Sequence, residues 1–526
     1  MSGKLRLAAT AAAMILIGAQ AGSAATLKWA NDGDVTSMEP YFINETFLLG
    51  FLSNVYEPLV GRGKELELVP KLAVSWEQTE PTVWRFHLRP NVKFADGTAF
   101  SADDVVFSYG RVTGPESDMR AKLGSVKEVK KIDDLTVDFV TKTPNPLLPG
   151  DLSTWLILSK AWCEKNGATK ATRASSKEET YANRHTNGTG PFMVTEREPD
   201  VRTVAVPNPQ WWGKREGNVS ELDFSVIKSD ATRVAALLSG EVDMVYTVPI
   251  QDVERINSTP HRKVLQGPEM RTIFLGLEQA LPELKDSDVK GKNPFQDVRV
   301  RKAFYQAIDE DAIVSKVMRG AATPSGLMVA PSVNGWDKAL NGRFPYDPDA
   351  AKKLLAEAGY AGGFTVGMNC PNDRYVNDEQ ICQAVVAMLA KVGVKANLLA
   401  ETKSKFFAKL QGRDVSIYLL GWTPDTYDSW NPLFSLLGTY AKETGRGLFN
   451  YGGYSNSHVD ALIDQIQSEV DPKKRNAEIA DAFKIVKDEV ASIPLHQQAL
   501  AWGIKDNVRL VQLPDNVFVW NWVTVQ

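Results

Sequence analysis

Two hydrophobic periodicities follow each other early in the chain. Trp84, Phe86 and Leu88 alternate with charged or polar residues, which predicts a strand with one face in the core and the other in solvent. Ser101 and Asp104 have the spacing of a helix capping box ahead of an apolar run, so a helix is predicted from there to about residue 111.

Later segments continue this alternation of strand and helix signals. Ile381, Val385, Met388 and Val392 lie on one stripe of a helix predicted over residues 379–392. A strand is predicted just before it, at 364–369, and another at the C-terminal end, at 517–523. In a helix predicted from residue 231 to 239, Asp230 is the expected cap and Gly240 the expected end.

The segment from 416 to 432 combines a strand signal with an irregular loop. Residues 416–420 are typical of a short buried strand, and Gly421 and Pro424 end it. The loop then holds three large aromatic residues and two acidic ones: Trp422, Tyr427, Trp430, Asp425 and Asp428. Such a loop suits a ligand with a cationic group. The same pattern also fits a surface turn whose tryptophans belong to the core.

The N-terminus indicates export. Residues 1–25 have a basic start, a short apolar stretch and small residues at their end, which is the pattern of a signal peptide and too short for a membrane-spanning helix. We expect the mature protein in the periplasm, secreted through this signal peptide. With a formal net charge of −4 before cleavage, nucleic acid is not an expected partner. No later run is long and apolar enough to span a membrane.

Three cysteines suit an exported protein with little disulfide content. Cys370 ends the strand predicted at 364–369 and Cys382 lies early in the next helix, so a disulfide between them is predicted. Two separate buried thiols are the alternative. Cys163 is expected to be a buried thiol.

Several short motifs together resemble a known family. The residues that carry the likeness are Trp84–Arg89, Val92–Gly97, Ala102–Val105, Thr189–Phe192, Trp211–Gly213, Leu238–Asp243, Pro294–Arg301, Ala307–Asp309, Tyr346–Asp349 and Ile493–His496. In number and order they resemble the extracellular solute-binding proteins of family 5, the peptide-, dipeptide- and nickel-binding components of ABC importers. Met38-Glu-Pro40 departs from the more usual Leu-Asp-Pro.

The resemblance implies an α/β fold of the periplasmic binding protein type II, with two α/β lobes, a hinge and an extra domain inserted in the N-terminal half. Lobe I would combine residues 26–66, 186–270 and 492–526. Residues 67–185 would form the extra domain, and residues 271–491 would form lobe II.

The resemblance also implies a ligand site. Asp425 matches the aspartate that takes the α-ammonium group in peptide-binding members, and Trp422 and Tyr427 would supply stacking surface. Arg374 resembles in position an arginine that takes the ligand carboxylate, although a surface arginine paired with Asp373 or Asp378 is the alternative. The remaining expected ligand-binding residues are Asn44, Glu45, Thr46, Thr189 and Gly190, with the last two near the lip of the cleft.

The expected function is capture of a short peptide or similar small zwitterionic solute between the lobes, and its delivery to the membrane permease of an ABC importer, by a monomer without a cofactor. A metal chelate, haem, glutathione or a sugar conjugate on the same scaffold is the alternative. A secreted hydrolase is a rival class, but the usual nucleophile, phosphate-binding and zinc motifs are missing from the sequence. The five histidines are scattered, so no metal site is predicted, and we expect no catalytic residues.

Overall fold

The computed structural model describes residues 25–174, 178–424 and 426–526. The predicted signal peptide lies outside the described residues, except for Ala25, which begins the first strand. The strands are β1 Ala25–Asn31, β2 Val60–Arg62, β3 Leu68–Pro70, β4 Ala73–Glu80, β5 Val83–Leu88, β6 Val126–Asp133, β7 Thr136–Thr141, β8 Phe192–Glu198, β9 Arg202–Pro207, β10 Val219–Val226, β11 Met244–Val245, β12 Arg262–Leu277, β13 Ala322–Pro324, β14 Phe364–Pro371, β15 Val394–Glu401, β16 Ile417–Trp422, β17 Ile493–Lys505, β18 Val508–Arg509 and β19 Thr524–Val525.

The α-helices lie mainly between these strands. They are α1 Thr46–Leu52, α2 Ala102–Val112, α3 Leu148–Asp151, α4 Lys160–Lys165, α5 Asp230–Ser239, α6 Val253–Asn257, α7 Val298–Ala307, α8 Glu310–Ala312, α9 Pro348–Glu357, α10 Asp378–Ala390, α11 Lys403–Gln411, α12 Trp430–Pro432, α13 Ser457–Ser468 and α14 Pro472–Asp488. No helix in the described ranges combines the length and the apolar character that a membrane crossing requires.

One large mixed sheet organises the molecule, and two long strands run through its middle. Its order is β15-β14-β16-β12-β17-β11-β1-β10-β9-β8, with β13 also paired to β17. The first part of β12 pairs with the last part of β17, and this part of β17 also pairs with β11. The second part of β12 pairs with β16 on its other side. The sheet therefore consists of two halves that share β12 and β17, which we call the crossing strands.

The predicted lobe limits can be compared with this topology. The limit at 270/271 falls inside β12, and the limit at 491/492 comes just before β17. A separate antiparallel sheet, in the order β4-β5-β7-β6, lies within the predicted extra domain. The division into lobes and extra domain stays a prediction.

Local signals explain where several elements begin and end. Ser101 and Asp104 form the predicted capping box of α2, and Gly240 ends α5 with a positive φ of 87°. The cap of α5 is Ser229, however, not Asp230, because the Ser229 side chain accepts the hydrogen bond from the backbone N–H of Thr232. The helix around Ile381 spans Asp378–Ala390.

The predicted strand at residues 517–523 is wrong. Trp520–Trp522 forms a 3-10 turn, and only Thr524 and Val525 pair as a strand. Trp520 is buried with its ring centroid 4.8 Å from that of Phe51. Its backbone N–H donates to Asn54 Oδ1 over 2.8 Å, so a side chain takes the place of a strand partner.

The cysteines lie as the sequence suggests. Cys370, in β14, and Cys382, in α10, are joined by a disulfide with a Cα–Cα distance of 6.6 Å. Cys163 is a buried free thiol. Burial raises the pKa of the Cys163 thiol to about 12, so it stays protonated and unreactive at neutral pH.

Candidate functional site

A cleft of about 2660 Å³ lies where the crossing strands pass between the two halves of the sheet. Residues of β12 and β17 line it, together with the segments around residues 44, 212 and 374 and the loop that follows β16. Its walls therefore come from parts of the chain that are far apart in sequence. Clefts that join two halves of a molecule are common ligand sites.

Trp422 lies at the end of β16, opposite Thr272 of β12. Its indole N–H donates to Asn431 Oδ1 over 2.7 Å, and its ring centroid lies 4.9 Å from that of Phe449. The ring is half-buried and lines the cleft. Trp422 is thus a fixed aromatic wall of the cleft, and its role as a stacking surface for a ligand stays a prediction.

Tyr427 contacts two side chains that are far from it in the sequence. Its hydroxyl donates to Asp515 Oδ2, and the Arg62 guanidinium carbon lies 4.2 Å from its ring centroid. Arg62 also donates to the carbonyl oxygen of Thr426 over 3.2 Å. Because Arg62 and Asp515 belong to the predicted lobe I and Tyr427 to the predicted lobe II, we call these three side chains the interlobe contact.

Asp515 is the charged member of that contact. Its side chain is buried, and burial raises the pKa of Asp515 despite the hydrogen bonds from Tyr427 and from the backbone N–H of Val517. The backbone of Tyr427 has a positive φ of 59°, which is uncommon for a residue other than glycine and is frequent at functional sites.

The structure describes one of the two aspartates of this loop. Asp425, the predicted ammonium partner, lies outside the described residues. Asp428 is buried and accepts two hydrogen bonds of 2.7 Å from Arg475 and one from Asn334. Asp428 therefore holds the loop in place, and Trp430 helps by donating to the carbonyl oxygen of Ile463.

Arg374 lines the cleft between β14 and α10. The predicted alternative, an ion pair with Asp373 or Asp378, is not what the structure contains. Asp378 instead accepts from the backbone N–H groups of Arg374 and Tyr375, and Asp373 accepts from the backbone N–H of Lys403. The Arg374 guanidinium carbon lies 5.2 Å from the Tyr375 ring centroid, and its N–H groups form no hydrogen bond within the described chain.

Asn44, Glu45 and Thr46 also line the cleft. Glu45 caps α1 by accepting from the backbone N–H of Leu48 over 2.8 Å, and the backbone N–H of Asn44 donates to Asp118 over 3.0 Å. These contacts fix the beginning of α1 at the wall of the cleft.

Thr189 and Gly190, expected near the lip of the cleft, do not line it, although the next residue, Pro191, does. Both are buried, and the Gly190 backbone N–H donates to the carbonyl oxygen of Val55 over 2.9 Å. A Cβ atom on Gly190 would come within 2.7 Å of the Val55 backbone. The Thr-Gly pair is thus explained by close backbone packing rather than by ligand contact.

Sequence reasoning missed polar groups of the cleft. On β12, Glu269 and Arg271 face the cleft, and the available signal was a pair of charged residues shortly before the apolar end of this strand, residues 273–277. Glu57 is buried beneath Trp211 and Trp212 and accepts from their indole N–H groups over 3.3 and 2.8 Å. Burial raises the pKa of Glu57.

The cleft offers charge, hydrogen bonds and aromatic surface. Among the described residues no group of three or more His, Cys, Asp or Glu side chains is arranged to hold a metal ion. Arginine side chains with available N–H groups suit carboxylates or phosphates, and the indole and phenol rings suit apolar or cationic parts of a ligand.

Comparison with known proteins gives a consistent result. Residues 67–444 match the family model described as bacterial extracellular solute-binding proteins, family 5 Middle. The chain is 26% identical over 539 residues to the dipeptide-binding protein of Escherichia coli (strain K12), covering 97% of this chain and 95% of that protein. It is 27% identical to heme-binding protein A of Haemophilus influenzae, covering 84% and 81%.

A solved structure has a similar fold. It is the periplasmic binding protein DppA of Helicobacter pylori in complex with the peptide STSA. The TM-score is 0.81 at 22% identity, and the match covers 95% of this chain and 98% of that chain.

Proposed function

The chain belongs to the bacterial extracellular solute-binding proteins of family 5, and we propose that it binds a short peptide or a similar small zwitterionic solute in the cleft. It then delivers this solute to the membrane permease of an ABC importer. The observation that carries the proposal is the cleft itself, which opens at the crossing strands. It is lined by the Arg374 guanidinium, which forms no hydrogen bond within the described chain, and by the fixed ring of Trp422.

Arg374 and Trp422 have complementary roles in this proposal. Arg374 takes the ligand carboxylate through two parallel N–H groups, and Trp422 packs against a side chain of the ligand. Asp425 takes the ammonium group of the ligand. The support for this role is the match of its loop to the family motif. Asn44, Glu45 and Thr46 supply polar contacts from the opposite wall.

Binding is coupled to the relative position of the two lobes. A ligand that contacts both walls favours the arrangement in which the walls approach each other. The interlobe contact of Arg62, Tyr427 and Asp515 supports this coupling, because it joins the loop beside the ligand site to the other lobe. The permease then recognises the ligand-bound arrangement.

We further propose that the protein acts as a monomer in the periplasm after removal of the signal peptide, and that it binds its ligand without converting it. The relatives named as periplasmic, dipeptide-binding or heme-binding proteins support this carrier function.

The size of the cleft favours a second candidate on the same scaffold. A volume of about 2660 Å³ exceeds the roughly 300–1,000 Å³ of most small-molecule sites. A dipeptide would leave much of this space to water. A longer peptide, or a bulky solute such as glutathione or haem, would fill more of it.

A thermal-shift screen of the purified protein tests the proposal. The screen should contain dipeptides, longer peptides, glutathione, haem, nickel-histidine complexes and sugars. A ligand at a hundred times its Kd should add about 2.7 kcal/mol to the free energy of unfolding. Hits among peptides would support the proposal, whereas hits confined to sugars or metal chelates would contradict the ligand class. Hydrolysis of a bound peptide over several hours would contradict the carrier function.

Asp425 has a test of its own. Asp425→Asn should weaken binding of a hit peptide with a free amino terminus much more than binding of its N-acetylated form, because only the free form carries the ammonium group. An equal loss for both forms would exclude the ammonium role.

A further inference from the structure

The crossing strands separate for a short distance at the floor of the cleft. β12 pairs with β17 up to Pro268, opposite Ala499, and resumes at Thr272, opposite Gln497. Residues 269–271 therefore stand against a single residue of β17, Gln498. Such a bulge changes the direction of its side chains. Here Glu269, Arg271 and Gln498 all line the cleft.

The Arg271 guanidinium is only partly satisfied. Arg271 is buried, with 6% of its surface exposed, and its Nε donates to Glu269 Oε1 over 3.0 Å. Its two terminal nitrogens, Nη1 and Nη2, donate to no atom of the described chain. Glu269 thus binds one edge of the guanidinium. The other edge, formed by Nη1 and Nη2, has no partner in the described chain, and its two parallel N–H groups suit an oxyanion.

Two acceptors beside this guanidinium are also unsatisfied. Glu269 Oε2 and Gln498 Oε1 are buried and accept no hydrogen bond from the described residues. Buried polar atoms in folded proteins nearly always have a partner. Two buried acceptors that lack one, at the same bulge as a guanidinium whose terminal N–H groups donate to no described atom, are typical of a site that a ligand completes.

Arg374 and Arg271 share one aromatic neighbour. The two guanidinium carbons are 5.2 and 5.8 Å from the centroid of the same ring, that of Tyr375. Burial lowers the pKa of Arg271, but the charge and the hydrogen bond of Glu269, together with Tyr375 and Glu45, raise it by more, so the pKa is raised overall. Arg271 therefore stays charged. Glu45 forms no ion pair with it, because the Glu45 carboxylate caps α1.

We propose that Arg271 is a second anion receptor in the cleft and that the physiological ligand carries a second acidic group, a carboxylate or a phosphate, besides the one bound by Arg374. Nη1 and Nη2 of Arg271 donate to this group. Glu269 positions the guanidinium, and Glu269 Oε2 and Gln498 Oε1 accept from an N–H group of the ligand. The inference rests on the proposed function, since it names the solute class for the same cleft.

Matched peptides test the inference by isothermal titration calorimetry. Alanyl-glutamate and alanyl-glutamine have nearly the same shape but differ by one carboxylate. The wild-type protein should bind alanyl-glutamate about tenfold or more tightly than alanyl-glutamine, because a charge-assisted hydrogen bond pair is gained. Alanyl-phosphoserine and alanyl-serine form the second arm. A larger ratio in that arm would identify the acidic group as a phosphate.

Arg271→Met should reduce the preference for the acidic peptide to about one, while the affinity for alanyl-glutamine changes by less than about threefold. Lys228→Met is the matched control, because Lys228 is an exposed lysine at the cleft edge that has no role in the proposal. It removes the same charge and should preserve the preference. If both variants reduce the preference equally, the effect is the general field of the cleft and the inference is wrong.

Arg271→Met leaves the buried Glu269 without its partner, so this variant could fold poorly. The double variant Glu269→Gln with Arg271→Met removes both charges and keeps the side-chain sizes similar. It should also lose the preference for the acidic peptides. A preference that persists in the double variant, or a wild-type protein that binds acidic and neutral peptides equally, would overturn the inference alone. Absence of binding for every peptide tested would overturn the proposed function with it.

Discussion

Tyr427→Phe removes one hydroxyl group from the interlobe contact and little else. The lost hydrogen bond ends on a buried carboxylate, that of Asp515, and hydrogen bonds to charged groups contribute about 1.5–3 kcal/mol. We take the lower value, about 1.5 kcal/mol, because Asp515 still accepts from the backbone N–H of Val517 over 3.0 Å. If the contact forms together with ligand binding, affinity should fall about tenfold.

Two measurements on the same variant separate the explanations. Calorimetric titration with a peptide hit gives the change in Kd, and urea unfolding without ligand gives the change in stability. We expect most of the lost free energy to appear as an increase in Kd. The free energy of unfolding without ligand should decrease by a smaller amount. Tyr440→Phe is the control, because Tyr440 is an exposed tyrosine of the same cleft, and it should leave both quantities unchanged.

The reasoning is refuted if Tyr427→Phe binds ligand within about twofold of the wild-type protein. A loss of about 1.5 kcal/mol that appears fully in unfolding without ligand would show that the contact is a permanent part of the fold. In that case it does not couple the lobes to the ligand.

Three further predictions concern single features. Arg374→Met should weaken binding of a peptide hit about tenfold or more while its C-terminally amidated form is little affected; equal losses in calorimetry would exclude the carboxylate role. Replacing Cys370 and Cys382 by serine should lower the free energy of unfolding by about 3 kcal/mol, since the closed loop spans 12 positions; in urea unfolding, a reducing agent should affect only the wild-type protein. Burial raises the pKa of Asp515 above 3.8, so the wild-type protein loses stability as the pH rises through that raised value. The melting temperature of Asp515→Asn should therefore increase relative to the wild type between about pH 4 and pH 7, and a constant difference would contradict this.

The sequence predicts the fold class through the family resemblance, and it predicts several element boundaries through local signals. The capping box at Ser101 and the stop at Gly240 depend only on neighbours in the chain, and both are present in the structure. The family and the fold class are confirmed by the family match and by the likeness to solved periplasmic binding proteins. The strand near Trp520 was predicted wrongly because the local structure there depends on a distant contact. The Trp520 backbone N–H donates to the side chain of Asn54, which is more than four hundred residues away.

The site was predictable only where a motif or a pattern points to it. Arg374 and Trp422 were found in this way, and the structure brings both to one cleft. Arg271 was missed, because a charged residue in a strand gives no indication of which of its N–H groups remain without a partner. The sequence did not show that Thr189 is buried, because a Thr-Gly pair has the same sequence whether a ligand or a neighbouring backbone approaches it.

The crossing strands set the order in which the protein can fold. β1 and β10 come early in the chain, but the half of the sheet that contains them also includes the end of β17, near residue 505. Pairing between β12 and β17 joins segments that are more than two hundred residues apart, and such long-range pairing is slow. The half of the sheet that contains β1 therefore stays incomplete until the C-terminal end of the chain, which contains β17, has paired with it.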